Sequence, residues 1–124
     1  MGLVKISQAK GSIPVTVFEL QDRFNPGNTA ELEQAGKEAY ANGTRDLVTD
    51  ISKVDSYTSA GIRALLIIYK LLTGDEGKKS KHVKLVSPTN YVREVLDVSG
   101  VSDSIEIYDT LEEAIASFQE VIER

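Results

Sequence analysis

Residues 50–66, DISKVDSYTSAGIRALL, contain the pattern that decides the fold of this chain. An apolar segment ends at Ile51, a loop rich in hydroxyl side chains follows, and a helical pattern begins at Ser59. From there apolar side chains recur every three or four residues until Gly74, which predicts a helix with one buried face. Its apolar positions are Ile62, Leu65, Leu66, Ile68, Tyr69 and Leu72. The segment is therefore predicted to form a strand, a loop and a helix in succession.

The hydroxyl groups of Ser56, Tyr57, Thr58 and Ser59 have two interpretations. A helix start needs one side-chain oxygen as its N-cap, which Thr58 or Ser59 would supply. Gly61 would then let the first turn approach a neighbouring element closely. A single cap does not account for four adjacent hydroxyl groups, so the second interpretation is a functional role for the cluster. The residues alone leave both interpretations open.

On the amino-terminal side, two runs of alternating apolar residues flank residues 11–12, Gly-Ser, and predict an opening hairpin. The runs contain Leu3, Val4 and Ile6, and then Ile13, Val15, Val17 and Leu20. Asn28 and Glu31 are spaced as an N-cap and its third-position partner, and the Asn-Gly pair at residues 42–43 is typical of a helix end. Residues 47–51 form the next predicted strand, which leads into the opening segment.

On the carboxyl-terminal side, a strand is predicted at residues 82–86, with Ser87 as N-cap and Pro88 as first residue of the next helix. Gly100 ends that helix, and residues 105–108 form a last strand. Thr110 and Glu113 form a predicted capping box for a final amphipathic helix. Because strands and helices alternate after the hairpin, we expect an α/β fold with a mixed central sheet of about four to five strands and about four packed helices. Residues 1–124 are expected to form a single domain.

Composition excludes several classes of protein. The chain has 124 residues, 41% of them hydrophobic, and no cysteine, which excludes disulfides, thiolate metal sites and cysteine nucleophiles. No stretch resembles a signal peptide or a membrane span, so we expect no membrane association. The net charge of −5 removes the general attraction to nucleic acid. The most basic stretch, residues 78–84, is interpreted as a solvated loop.

Catalytic and cofactor patterns are also missing from the sequence. The single histidine, His82, lies at the start of a predicted strand and is interpreted as structural. The acidic residues that could attract a metal are predicted in loops or on exposed helix faces, namely Asp75, Glu76, Glu112, Glu113 and Glu120. Residues 77–80, Gly-Lys-Lys-Ser, imitate the end of a P-loop but have the wrong spacing and lie between a helix and a strand. We therefore expect no catalytic residues, no metal, no cofactor and no enzymatic activity.

The opening segment resembles the signature of the STAS domain of anti-sigma-factor antagonists. That signature has a strand ending in Asp-Leu-Ser, then Val, then an apolar residue before Asp-Ser-Ser-Gly or a variant. Residues 50–52, Val54, Tyr57 and residues 58–61 match it without gaps. A later block, residues 86–101, and the ending IYDTLEEAIA at residues 107–116 resemble the family as well.

Two departures from the family pattern stand beside these matches. Thr58 occupies a position where many members have Asp, and residues 20–23, Leu-Gln-Asp-Arg, replace a usual Gly-Glu-Leu-Asp. The first departure bears on how efficiently the neighbouring serine would be phosphorylated.

The resemblance implies a STAS fold and a bacterial, cytoplasmic protein-binding switch. Ser59 takes the position of the family's phosphoacceptor. The partner would be an anti-sigma factor that is a serine kinase, and a PP2C-type phosphatase would reverse the modification. The implied contact surface consists of Ser56, Tyr57, Thr58, Ser59, Ala60, Gly61 and Arg63, with residues 24–28 as a further candidate.

Other members of this family have other roles, and the sequence leaves these open. One alternative is a scaffold or regulator within a larger signalling assembly. Another is a STAS protein that binds a lipid or another small ligand. For an anti-sigma-factor antagonist we expect a monomer or a weak dimer, whereas the same fold would oligomerise in a scaffold.

Overall fold

The computed structural model describes residues 4–9, 14–21, 26–54, 59–73 and 80–122, without the side chains of residues 26–28, 59–60, 80–81 and 119–122. The elements in chain order are β1 (Val4–Ala9), β2 (Val15–Leu20), α1 (Pro26–Ala41), β3 (Leu47–Asp50), α2 (Ser59–Thr73), β4 (Ser80–Val86), α3 (Asn90–Ser99), α4 (Val101–Ser104), β5 (Ile105–Tyr108) and α5 (Leu111–Ile122).

The five strands form one mixed sheet in the order β1-β2-β3-β4-β5. β1 and β2 pair antiparallel, as predicted for the opening hairpin, while β2 to β5 run parallel to one another. Residues 11–12, the predicted turn, lie outside the described residues. Since β2 to β5 are parallel, the chain leaves all four strands at the same edge of the sheet, which we call the carboxyl edge. It comprises Gln21, residues 51–54, residues 87–89 and residues 109–110.

Side chains alternate along each strand, so the sheet has two apolar faces. Helices α1 to α4 pack on one face and α5 packs on the other. On one face, residues such as Phe18, Leu47 and Leu85 join buried side chains of α1 to α4 in the main core. On the other face, Val48 and Val86 pack with Ala114 and Phe118 of α5. The predicted α/β fold is therefore confirmed.

Helix α2 packs closely against α1 at Gly36. A Cβ atom placed on Gly36 would lie 2.6 Å from Cγ1 of Ile68 and 2.9 Å from its Cδ1. Ile68 is only 1% exposed, so its side chain has little room to move away. The missing side chain at Gly36 thus allows α1 and α2 to pack this closely at Ile68.

Two predicted helix starts are wrong. α1 begins at Pro26, ahead of the proposed cap at Asn28, and the Glu31 carboxylate instead accepts a hydrogen bond of 3.2 Å from the backbone N–H of Val4. α3 begins at Asn90, and its N-cap is Thr89, whose Oγ1 accepts from the backbone N–H of Val92 at 3.2 Å. Ser87 cannot cap α3 because its Oγ donates to the carbonyl of Asp109.

Other helix boundaries follow the predictions. Gly43 and Gly100 have φ of 104° and 85°, the left-handed region expected after a helix end. Thr110 and Glu113 form the reciprocal capping box of α5, with both backbone N–H bonds at 3.2 Å. The short α4 that follows Gly100 was not predicted, since one turn is too short to show a periodic pattern.

The interpretation of residues 78–84 as a solvated loop is wrong from residue 80 onward, where β4 begins, and most clearly for Lys84. This residue lies within β4 and is 1% exposed. Its Nζ donates to Ser117 Oγ at 2.6 Å, lies 3.1 Å from Glu106 Oε1 and sits 4.4 Å from the centre of the Phe118 ring. Burial of the cation is tolerated because these partners replace its hydration.

Candidate functional site

The end of β3 is anchored in the core just before the predicted contact loop. Ile51 and Val54 are fully buried, and the backbone N–H of Val54 donates to the carbonyl of Ile51 at 3.1 Å. The carboxylate of Asp50, just before Ile51, accepts from the backbone N–H of Ser52 at 2.9 Å, which forms a local turn. The three predicted contact residues Ser56, Tyr57 and Thr58 lie outside the described residues.

The chain then enters α2 at Ser59, which is the helix's first residue. The backbone of Ser59 and Ala60 is helical, Gly61 is buried and Arg63 is exposed. No acidic residue occupies the first turn. A helix directs its first N–H groups and the positive end of its dipole out of the amino terminus, so the start of α2 favours an anion.

The loops after β4 and β5 are hydrogen-bonded to each other beside the carboxyl end of β3. The backbone N–H of Ser87 donates to the carbonyl of Tyr108, and its Oγ donates to the carbonyl of Asp109, both at 2.9 Å. Arg93 of α3 then bonds the Asp109 carboxylate at 2.7 Å. Asp50 pairs with Val86 in the sheet, so these two loops lie next to the end of β3.

The structure thus places part of the predicted contact surface at the carboxyl edge. The backbone of Ser59 and Ala60, together with Gly61 and Arg63, lies in the first two turns of α2. Of the further candidate loop, residues 24–25 lie outside the described residues and residues 26–28 form the start of α1. Sequence reasoning missed the bond between Arg93 and Asp109, because nothing in a separation of 16 residues indicates contact.

His82 lies away from the candidate site. Its Nδ1 lies 3.1 Å from Oδ1 of Asp46, at the opposite edge of the sheet from Ser59. Among the described residues, no group of three or more His, Cys, Asp or Glu side chains could hold a metal ion. Within the same ranges no helix is long and apolar enough to cross a membrane.

Comparison with known proteins identifies the family. The STAS domain model matches residues 7–114, which is most of the chain. This chain belongs to the STAS domain family. It is 30% identical over 105 residues to BtrV of Bordetella bronchiseptica, a candidate anti-sigma factor antagonist, and the match covers 85% of this chain and 87% of BtrV. The resemblance drawn from residues 50–66 is confirmed at the level of the family.

Solved structures show the same STAS fold. An anti-sigma-factor antagonist domain protein from Planctomyces limnophilus superposes with a TM-score of 0.77 at 20% identity, covering 95% of this chain and 98% of that protein. The Bacillus cell fate determinant SpoIIAA in its phosphorylated form gives a TM-score of 0.65 at 17% identity, covering 90% and 97%. At these identities the likeness concerns the fold.

Proposed function

We propose that this chain is an anti-sigma-factor antagonist that acts as a single STAS domain in the bacterial cytoplasm. It binds an anti-sigma factor and thereby releases the sigma factor. Phosphorylation of Ser59 by the same anti-sigma factor, a serine kinase, ends the binding. The observation that carries the proposal is the position of Ser59 as first residue of α2, at the carboxyl edge, in a first turn without acidic residues.

The structure supports a switch that leaves the fold intact. A phosphate on Ser59 would lie at the positive end of the α2 dipole, where helix N–H groups stabilise an anion. α2 is held by Ala64, Leu65 and Ile68, which are all at most 2% exposed and lie one turn or more beyond Ser59. The added charge would therefore change the surface that the partner meets and not the packing beneath it.

The loss of binding follows from the charge itself. Phosphate adds about 1.5 to 2 negative charges at neutral pH and a tightly held hydration shell. Burying it against a partner without compensating cations costs several kcal/mol, and about 4 kcal/mol already lowers affinity roughly a thousandfold. The contact surface proposed for the unmodified protein is Ser56, Tyr57, Thr58, Ser59, Ala60, Gly61 and Arg63.

The kinase partner supplies the chemistry in this proposal. The γ-phosphoryl group passes from ATP to Oγ of Ser59, ADP leaves, and a base of the kinase takes the hydroxyl proton. A PP2C-type phosphatase restores the serine by hydrolysis. This chain is the substrate and the ligand, so we infer that it is not an enzyme and that the purified protein hydrolyses ATP only at background rate.

The test compares Ser59→Ala, Ser59→Asp and wild type by calorimetric titration against a purified anti-sigma factor kinase of the same organism. We expect Ser59→Ala to fold, bind and escape phosphorylation in mass spectrometry, since Ser59 is the first helical residue of α2 and alanine is the most favourable residue in a helix. Ser59→Asp should bind more weakly at unchanged thermal stability. Ser102→Asp, in α4 at the opposite edge, places the same charge elsewhere as a control. Equal affinities for all four proteins would contradict the proposal, and phosphate on Ser56 or Thr58 with Ser59 unmodified would reassign the acceptor.

A further inference from the structure

Helix α3 has two apolar faces, and only one of them is buried. Val92 and Leu96 are fully buried in the main core. Tyr91 and Val98, which lie seven residues apart on another side of the helix, are 58% and 83% exposed. Core packing explains the first face but not the second, because an exposed valine and tyrosine contribute little to the stability of a helix.

Tyr91 and Val98 form one concave surface with Val95, which is partly buried and also packs against the main core. Residues at i, i+4 and i+7 share a side of a helix, so Tyr91, Val95 and Val98 form a continuous stripe. Together with Glu94 and Ser99 they line a largely apolar cavity of about 310 Å³. A cavity of this size holds a large apolar side chain from another molecule. We call the surface made by these five residues, with Asp97 at its border beside Glu94, the α3 surface.

The α3 surface is acidic as well as apolar. Glu94 and Asp97 are both exposed and lie three residues apart, on the same side of the helix. Neither carboxylate forms an ion pair within the part of the chain that the structure describes. The occupant that fits is therefore a segment with an apolar side chain for the cavity and Lys or Arg beside it.

A second copy of this chain fits poorly. Symmetric pairing of two α3 surfaces would bring Glu94 and Asp97 close to the same carboxylates of the other copy. The chain also carries a net charge of −5, so association of two copies is opposed over longer distances as well.

The position of the surface links it to the proposed switch. α3 follows the carboxyl end of β4, whose neighbour β3 leads towards Ser59. Tyr91, the second residue of α3, therefore lies towards the carboxyl edge. Val98 lies about 10 Å further along the helix, away from that edge. A partner that contacts both sites has to extend from the start of α2 along α3.

We propose that the α3 surface is a second contact for the anti-sigma factor, occupied by a basic segment that inserts an apolar side chain between Tyr91, Val95 and Val98. This inference rests on the proposed function, because it concerns the same partner. The α3 surface carries no phosphoacceptor in the proposal, so its contribution to binding is the same whether or not Ser59 is phosphorylated.

The experiment titrates the purified anti-sigma factor kinase with full-length variants of this chain. Val98→Asp and Tyr91→Ala should each weaken binding about tenfold or more, as truncation of a central apolar contact does. Glu94→Lys/Asp97→Lys should weaken binding more at low salt than at high salt, because the lost attraction is electrostatic. Glu38→Lys, at an exposed acidic residue in the last turn of α1 at the opposite edge of the sheet, is the charge control and should bind like wild type.

The outcomes separate this inference from the proposed function. If wild type binds the kinase and Ser59→Asp weakens binding, but the three α3 variants bind like wild type, the α3 surface is not a contact and the inference is wrong. If wild type does not bind, the proposed function fails first. A dimer of wild type in analytical ultracentrifugation that Val98→Asp dissociates would assign the surface to a second copy and overturn the inference as stated. Circular dichroism of each variant checks that it is folded, and Val98→Asp is the safest because Val98 is 83% exposed.

Discussion

Replacing Gly36 with alanine tests how α2 packs against α1. Two effects on the free energy of unfolding oppose each other, a gain in helix propensity and a loss from overpacking. Alanine within a helix is more favourable than glycine by about 1 kcal/mol. Against this, the new Cβ would lie 2.6 Å from Cγ1 of Ile68, well inside normal contact. Overpacking in a closed core costs about 1 to 3 kcal/mol. We therefore expect Gly36→Ala to lower the free energy of unfolding by about 1 kcal/mol, since Ile68 is 1% exposed and cannot swing away.

A second substitution makes this prediction specific. Ile68→Ala removes Cγ1 and Cδ1, the two closest atoms, and by itself should cost about 2 to 5 kcal/mol. In that background Gly36→Ala no longer meets an obstacle, so it should stabilise the protein by about 1 kcal/mol. The sign of the same substitution is thus reversed by the second one, with a coupling energy of about 2 kcal/mol.

Urea unfolding of wild type, both single variants and the double variant measures this coupling as a double-mutant cycle. The slope with denaturant should stay constant across the four proteins, so that the midpoints report stability. If Gly36→Ala changes stability equally in both backgrounds, the two residues are not in contact and our account of how α2 packs against α1 is wrong.

Two further predictions concern polar groups that the fold depends on. Lys84→Ala should lower the free energy of unfolding by about 2 to 5 kcal/mol. Lys84→Met should lower it by less than about 1.5 kcal/mol, because methionine fills the same space. The side chain of Glu106, which is 37% exposed, can then be hydrated in place of its ion pair with Lys84. A Met variant as unstable as the Ala variant in urea unfolding would show that the charge, and not the volume, is what matters. Thr110→Ala should lower stability by about 1 kcal/mol through loss of the α5 capping box, while Thr110→Ser keeps the hydroxyl and should stay near wild type in thermal unfolding. Equal melting temperatures for the two Thr110 variants would mean that the box does not stabilise α5.

Most of the fold can be predicted from the sequence because long periodic segments dominate it. α2 repeats its apolar residues over four turns, and the structure starts it at Ser59 as predicted. The α5 capping box and the helix ends before Gly43 and Gly100 were also predicted, since local chemistry decides them. These features depend on residues close to one another in the chain.

The errors arise where distant residues decide the outcome. Ser87 and Pro88 match a helix start, but Ser87 Oγ donates instead to the carbonyl of Asp109, 22 residues away. Glu31 matches a capping residue, but its carboxylate meets the backbone of Val4 in β1. Lys84 matches a solvated stretch, and only its partners Glu106 and Ser117, both distant in sequence, allow it to be buried.

The candidate site was predictable only in part, for a related reason. Residues 50–66 show where a helix begins after a strand, which locates Ser59 at an edge of the sheet. The exposed stripe of α3 was not predicted, because apolar residues recur every three or four positions on both of its faces. This spacing does not show which face is buried. Val92 and Val98 are both valines of one helix, yet they are 0% and 83% exposed.

The start of α2 lies far from the contact between Ile68 and Gly36, and this distance affects how the proposed switch works. Ser59 and Ile68 are nine residues apart, which is about 13 Å along a helix. Contributions to stability from sites this far apart and without shared partners usually add. A charge at Ser59 should therefore change stability by the same amount in wild type and in Gly36→Ala, even though the second variant disturbs the packing of α2. If the two effects were strongly coupled, phosphorylation would act by shifting α2 against α1. If they add, as we expect, the phosphate acts at the surface alone, and any loss of partner binding is due to the charge.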